Sequence, residues 1–430
     1  MNKNPLFRRL GTGLLALLAL FVLGALRAAD SAADGGAIDW QRAQQLRQKS
    51  LGGSALSAEE QAYLERAMAA RQGGQRGDAV DPNDRETMRR LTEKRRKGEP
   101  LTAEDEAAFR RLRGSKGATK GEAPAATTAA APREKTGLVP LTEMTADQRH
   151  QGEDGGLYGG GRNDPPSAQL AAAMAAAREI EPLDAAGKPA ADGRIALLSV
   201  GMSNTTQEFS RFQEMAARDA AKGRNVVLVD GAQGGRTAAE WARSANSEVW
   251  QTVDSRLKTA GVSPAQIQVV WMKQANARPT EAFPEHARKL EHDLTVLMHR
   301  LKTKFPNLRL VYLSSRTYAG YASTALNPEP YAYEGAFAVR WLILRQVNGD
   351  KELNHDPARG PVKAPVLLWG PYLWADGLTP RKNDGFTWAR DDFREDGTHP
   401  SVTSGRDKVA NQLLTFLKTD PTAKPWFVSR

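Results

Sequence analysis

A carboxylate three residues ahead of an imidazole, as in Asp396-Gly397-Thr398-His399-Pro400, can accept the Nδ1 proton and leave Nε2 to act as a base. His399 is the only plausible base in the chain. Of the other five histidines, His150 lies upstream of the regular region, His286, His292 and His299 share one helical stretch at spacings of six and seven, and His355 follows a helix end. Such spacings leave two imidazoles about two helical turns apart, too far to share a metal. A serine hydroxyl is a weak nucleophile until an adjacent base takes its proton. Ser203, in Gly201-Met202-Ser203-Asn204, stands in a turn after an apolar run and is the candidate. Two further turns supply Gly234-Gly235 and Asn276. The amides of Ser203 and Gly235 and the Asn276 carboxamide would meet negative charge developing on a carbonyl oxygen. A side chain at 235 could block that approach, hence glycine. Hydroxyl, amides, carboxamide and imidazole together are what acyl transfer requires.

These residues need elements that bring them to one edge. From residue 194 onward, near-continuous apolar runs alternate with helical stretches: 194–201 (RIALLSVG), 225–232 (NVVLVDGA), 267–275 (IQVVWMKQA), 308–315 (LRLVYLSS) and 364–372 (APVLLWGPY). Runs of this kind indicate parallel strands buried on both faces. The expected fold is an α/β, three-layer α/β/α sandwich around a five-stranded parallel sheet. Open sheets of this class bind ligands beyond the carboxyl ends of their strands, and the residues above fall in those loops. Residues 152–167 (GEDGGLYGGGRNDPPS) directly precede this region and read as a loop draped over it.

The first 29 residues carry Lys3, Arg8 and Arg9, an apolar stretch over 10–26, and then Ala28 and Ala29, the order of a secretory signal. The protein is expected to be secreted or periplasmic, or anchored in a membrane by this segment if it stays uncleaved. Residues 30–117 contain two copies of a helix-turn-helix pattern, 46–67 and 91–112, offset by 45 residues. The second helix of each copy starts with a capping box, Ser57-x-x-Glu60 and Thr102-x-x-Asp105. Few large apolar residues occur there, so a solvated spacer or a docking module for an envelope partner is expected. Residues 118–140 read as a low-complexity linker and 141–430 as the chemistry-bearing domain. The 430 residues include no cysteine, which removes disulfides, thiolate metal sites and cysteine nucleophiles. No metal or other cofactor is called for. A net charge of +10 is small beside 60 basic and 50 acidic residues, and the two signs are interspersed, so nucleic acid is not an expected partner.

Residues 194–417 resemble the SGNH (GDSL-like) hydrolase superfamily, in which a serine follows the first strand, a glycine the second, an asparagine the third, and Asp-x-x-His precedes the last helix. The GMSN turn and GGRTAAEW (residues 234–241) are similar to the carbohydrate acetylesterase branch. Two blocks depart from the pattern: Gly-Asp-Ser reads Gly-Met-Ser, and Gly-x-Asn-Asp reads Gln-Ala-Asn-Ala. The resemblance implies an esterase acting on an acylated carbohydrate, with Ser203, His399 and Asp396 catalytic and Ser203, Gly235 and Asn276 forming the oxyanion hole. A lipase or phospholipase of the same superfamily, or a non-catalytic glycan-binding protein on that scaffold, are the alternatives. Aromatic residues crowd the later loops, among them Tyr318, Tyr321, Trp374 and Trp388, and rings there would either stack on a sugar or pack in the core. Arg316, Tyr318 and Trp374 are candidate substrate-binding residues.

Overall fold

The computed structural model describes residues 46, 57, 59–63 and 131–429. The chain divides into two compact units, Met1–Glu122 and Ala123–Arg430. In the first, the Ser57 amide donates to Glu60 Oε2 (2.9 Å) and the Glu60 amide to Ser57 Oγ (3.2 Å), a reciprocal cap at the start of a helical turn. The N-terminal signal-like segment, the rest of both repeats and the linker as far as residue 130 lie outside the described residues.

The second unit is built on five parallel strands: β1 (Ile195–Gly201), β2 (Val226–Asp230), β3 (Ile267–Lys273), β4 (Leu310–Ser314) and β5 (Val366–Trp369). Their order is β2-β1-β3-β4-β5. β1, β3, β4 and β5 are buried along their whole length, while β2 alternates buried and partly buried positions. That is why the inner runs show no polar alternation.

Helices cover the sheet in two sets. One comprises α1 (Ser167–Arg178), α2 (Ser203–Ala217), α7 (Gly405–Thr419) and α8 (Lys424–Phe427). The other comprises α3 (Ala238–Arg243), α4 (Glu248–Thr259), α5 (Glu285–Lys304) and α6 (Tyr331–Val347). The result is a three-layer α/β/α sandwich. In α5 the buried Leu290, Leu294, Leu297 and Leu301 recur every three or four residues, the stripe that seats a helix on a sheet. Chain order reverses beside β1, so the crevice between the ends of β1 and β3 is the topological switch point.

The segment ahead of α1 is fastened to this core. Asp376 accepts the Thr136 and Gly137 amides (2.6 and 2.8 Å), so residues 133–140 are part of the folded unit and not only a tether. Buried Arg340 of α6 pairs with Glu153 and Asp154. Trp369 Nε1 donates to the Leu157 carbonyl (2.8 Å), which drapes the glycine-rich loop over the core as its composition led one to expect. No helix among the described residues is long and apolar enough to cross a membrane.

Candidate active site

Ser203 is the first residue of α2, immediately beyond the carboxyl end of β1. The turn that places it depends on Gly201. A Cβ there would lie 2.2 Å from Thr205 Oγ1 and 2.6 Å from the Lys273 carbonyl, so only glycine lets β1, β3 and the first turn of α2 meet. Thr205 Oγ1 fills that space and donates to the Lys273 carbonyl (2.8 Å). His399 arrives from the other side, on the loop before α7. Its Nε2 stands 2.8 Å from Ser203 Oγ, and its Nδ1 stands 2.6 Å from Asp396 Oδ2.

The histidine loop is held from within and from without. Asp396 Oδ1 accepts the backbone amides of Thr398 and His399, each at 2.9 Å. Burial alone would raise the Asp396 carboxyl. The His399 and Thr398 amides and the imidazole outweigh it and hold the acid below the usual carboxylate range, so it is ionised at neutral pH. Asn204, next to the serine, donates its Nδ2 to the Thr398 carbonyl (2.7 Å), locking the serine turn to the histidine turn. The side chains of His399 and Asp396 remain 23% and 36% exposed, so a ligand can reach them. The structure thus joins Ser203, His399 and Asp396 in one hydrogen-bonded chain at the positive end of a helix dipole.

Gly235 lies on an exposed turn with φ of +75°, and a Cβ there would meet nothing within 4 Å. The left-handed backbone at this turn favours glycine, and the space where a Cβ would stand is open. Neither the Ser203 nor the Gly235 amide donates to a protein acceptor among the described residues, which leaves both for a ligand.

Asn276 is braced between two helices. Its Nδ2 donates to Asp293 Oδ2 of α5 (2.6 Å) and its Oδ1 accepts the Ala239 amide of α3 (3.0 Å). An NH₂ carries two N–H groups, and the second has no acceptor among the described residues. Gln274, the first residue beyond β3, is buried, and its Nε2 donates to the carbonyl of Arg236 beside Gly235 (3.5 Å).

The expected substrate-binding residues are corrected. Tyr318 and Trp374 are buried, with Tyr318 OH donating to the Arg133 carbonyl (2.7 Å) and Trp374 Nε1 to Glu329 Oε1 (2.8 Å). They pack against each other, as do Tyr321 and Phe393, so these rings belong to the core and offer no face to a sugar. Arg316 is also buried, just beyond β4. Under the serine, Lys273 at the end of β3 and Glu208 of α2 form a buried ion pair, Nζ to Oε2 2.5 Å. Burial pushes Lys273 down to about 8 and pushes Glu208 up, against the pull of each on the other. Among the described residues no group of three or more His, Asp or Glu is arranged to hold a metal. His150 and His286 instead share Glu334, at 2.9 and 2.6 Å.

The sequence matches no protein-family model and no curated protein. Structural likenesses are distant. A proposed acylhydrolase of Bacteroides fragilis is 13% identical, over 59% of this chain and 96% of that one, with a TM-score of 0.32. The periplasmic domain of a lipopolysaccharide acetyltransferase of Salmonella ser. Paratyphi A is 12% identical, over 52% and 84%, with a TM-score of 0.29. A lipase from a goat rumen metagenome is 11% identical, over 51% and 96%, with a TM-score of 0.29. At such distances the chemistry has to be argued from the side chains.

Proposed function

We propose that the protein is an exported serine esterase of the SGNH type that removes a small acyl group, acetyl in the simplest case, from a carbohydrate. The observation that carries this reading is the unbroken Ser203–His399–Asp396 hydrogen-bond chain at the switch-point crevice. Ser203 Oγ attacks the acyl carbon while His399 Nε2 takes its proton, and Asp396 fixes the imidazole tautomer. The carbonyl oxygen becomes an anion that the Ser203 and Gly235 amides meet. Asn276 spends one N–H of its Nδ2 on Asp293 and has a second for the same anion. Collapse breaks the ester bond, and His399 returns the proton to the departing sugar oxygen. Water then attacks the acyl-serine with the same histidine as base, releasing the carboxylate and restoring Ser203.

The carbohydrate part of the reading rests on the GMSN turn and the GGRTAAEW stretch (residues 201–204 and 234–241). A cavity of about 610 Å³ opens beside Asn276 and Ala239 toward Arg288, His292 and Asp293. Export rests on the order of charged, apolar and small residues in the first 29 positions. The test is covalent labelling of the full chain by a fluorophosphonate, followed by hydrolysis of acetate and octanoate esters. Labelling that Ser203→Ala abolishes, with acetate preferred, is expected. Full esterase activity in a folded Ser203→Ala protein would remove the mechanism, and a preference for octanoate would make the protein a lipase.

A further inference from the structure

Of the three donors that the site offers to a developing anion, two are backbone amides and one, Asn276 Nδ2, belongs to a side chain. A carboxamide can turn about its last bond and bring its oxygen round in place of its nitrogen, and an oxygen facing the anion would repel it. Here neither end is free to exchange. Oδ1 accepts the Ala239 amide of α3 (3.0 Å), a group that only donates, and Nδ2 donates to Asp293 Oδ2 of α5 (2.6 Å), a carboxylate that only accepts when ionised. Turned over, the carboxamide would set its NH₂ against an N–H and its oxygen against a carboxylate. Two contacts on one planar group also fix its plane, and with it the direction of the second N–H.

The backbone beneath is held separately. The Asn276 carbonyl accepts Asn327 Nδ2 (3.1 Å), and the Ala275 carbonyl accepts the Ala238 amide (3.1 Å). Those contacts leave the carboxamide free to rotate, so its aim depends on Ala239 and Asp293. Asp293 is half-buried, and among the described residues it forms no ion pair and accepts from no other donor. What it does for the site therefore passes through Asn276. Asn276 is half-buried too, and with Ala239 and Asp293 it borders the cavity of about 610 Å³, so it stands at an edge that a ligand reaches. Asp293 lies 17 positions further along the chain, inside a helix, with no motif to mark it.

We propose that Asp293 is a positioning residue that aims the second Nδ2 proton of Asn276 at the oxyanion. The oxyanion belongs to the esterase reading, on which this inference rests. Because the anion exists only in the transition state, Asp293→Ala should lower kcat on p-nitrophenyl acetate by about 10–10²-fold with little change in KM. Asp293→Asn returns an acceptor to Nδ2 and should recover most of that loss. In a chain that already carries Asn276→Ala, Asp293→Ala should cost less than about twofold, since no carboxamide is left to aim. A merely structural role would lower kcat alike in both backgrounds. Where circular dichroism shows that Asp293→Ala does not fold, Asp293→Leu keeps the volume without the acceptor and takes its place. Where acetate is not cleaved but a fluorophosphonate labels Ser203, the labelling rate is read instead, since charge develops on the phosphoryl oxygen in the same way. A native rate in the folded variant, or the same loss in both backgrounds, overturns the inference and leaves the esterase reading standing. A native protein that neither cleaves nor labels overturns both.

Discussion

Replacing Lys273 by Met removes one half of the ion pair beneath the nucleophile and leaves Glu208, a fully buried side chain, without its partner. After Lys273, Arg316 is the cation that affects Glu208 most, and it forms no ion pair with it. A carboxyl in that position takes up a proton rather than remain charged. Its ordinary value is 4.5, so holding it protonated at pH 7 costs at most about 2.5 × 1.36, or ~3.4 kcal/mol. At pH 5 the same arithmetic leaves about 0.7 kcal/mol. The sign follows from linkage: a group whose folded-state value is raised contributes full stability below its unfolded value and loses it as pH rises. Because Glu208 is already raised in the native protein, the deficit of Lys273→Met should shrink by at most about 2–3 kcal/mol between pH 7 and pH 5. Urea unfolding at the two pH values measures it. Glu208→Leu combined with Lys273→Met removes both charges and should fall within about 1–2 kcal/mol of the native protein. A deficit independent of pH, or a double variant as unstable as the single one, would refute the claim that the pair is held by mutual compensation.

Further substitutions test the site. Asp396→Asn keeps an oxygen for the Thr398 and His399 amides but turns an NH₂ toward Nδ1, which favours the tautomer unable to accept the serine proton. Steady-state kinetics should show kcat reduced by about 10³–10⁴-fold with little change in Tm, and His399→Ala should be worse. Gly201→Ala places a Cβ 2.2 Å from Thr205 Oγ1, which should destabilise the protein by roughly 1–3 kcal/mol in urea unfolding, and an unchanged midpoint would contradict the close approach. Asn276→Ala should lower kcat about 10²-fold through the lost oxyanion donor and also lower stability, since its carboxamide bridges Asp293 and the Ala239 amide. An unchanged kcat in the folded variant would remove Asn276 as that donor.

What the sequence disclosed, and what it did not, follows from the range of the interactions involved. The five strands were legible because burial on both faces leaves a long apolar run, and their ends differ from the runs by a residue or two because the flanking residues already turn into loops. The Asp396–His399 contact is local, so its spacing carries the geometry. The Ser203–His399 contact spans 196 positions and is legible only through topology, which sends both chain segments to the same rim. Nothing local distinguishes an aromatic ring that faces a ligand from one that seals a loop, and the burial of Tyr318 and Trp374 depends on residues 133–140 and on Glu329 closing over them.

Asn276 shows the same limit more sharply. Spacing brings it to the rim, but a carboxamide acts on whatever acceptor lies nearest, and Asp293, 17 positions later on α5, lies 2.6 Å from it. The loops around the crevice are stitched together by such contacts: the Gln233 amide to the Gly201 carbonyl, the Ala238 amide to the Ala275 carbonyl, Asn327 Nδ2 to the Asn276 carbonyl, and the Ser323 amide to the Asp396 carbonyl. They run from the serine turn round to the histidine turn. They leave the Ser203 and Gly235 amides without a protein acceptor among the described residues, and those amides are what the frame holds open for a substrate.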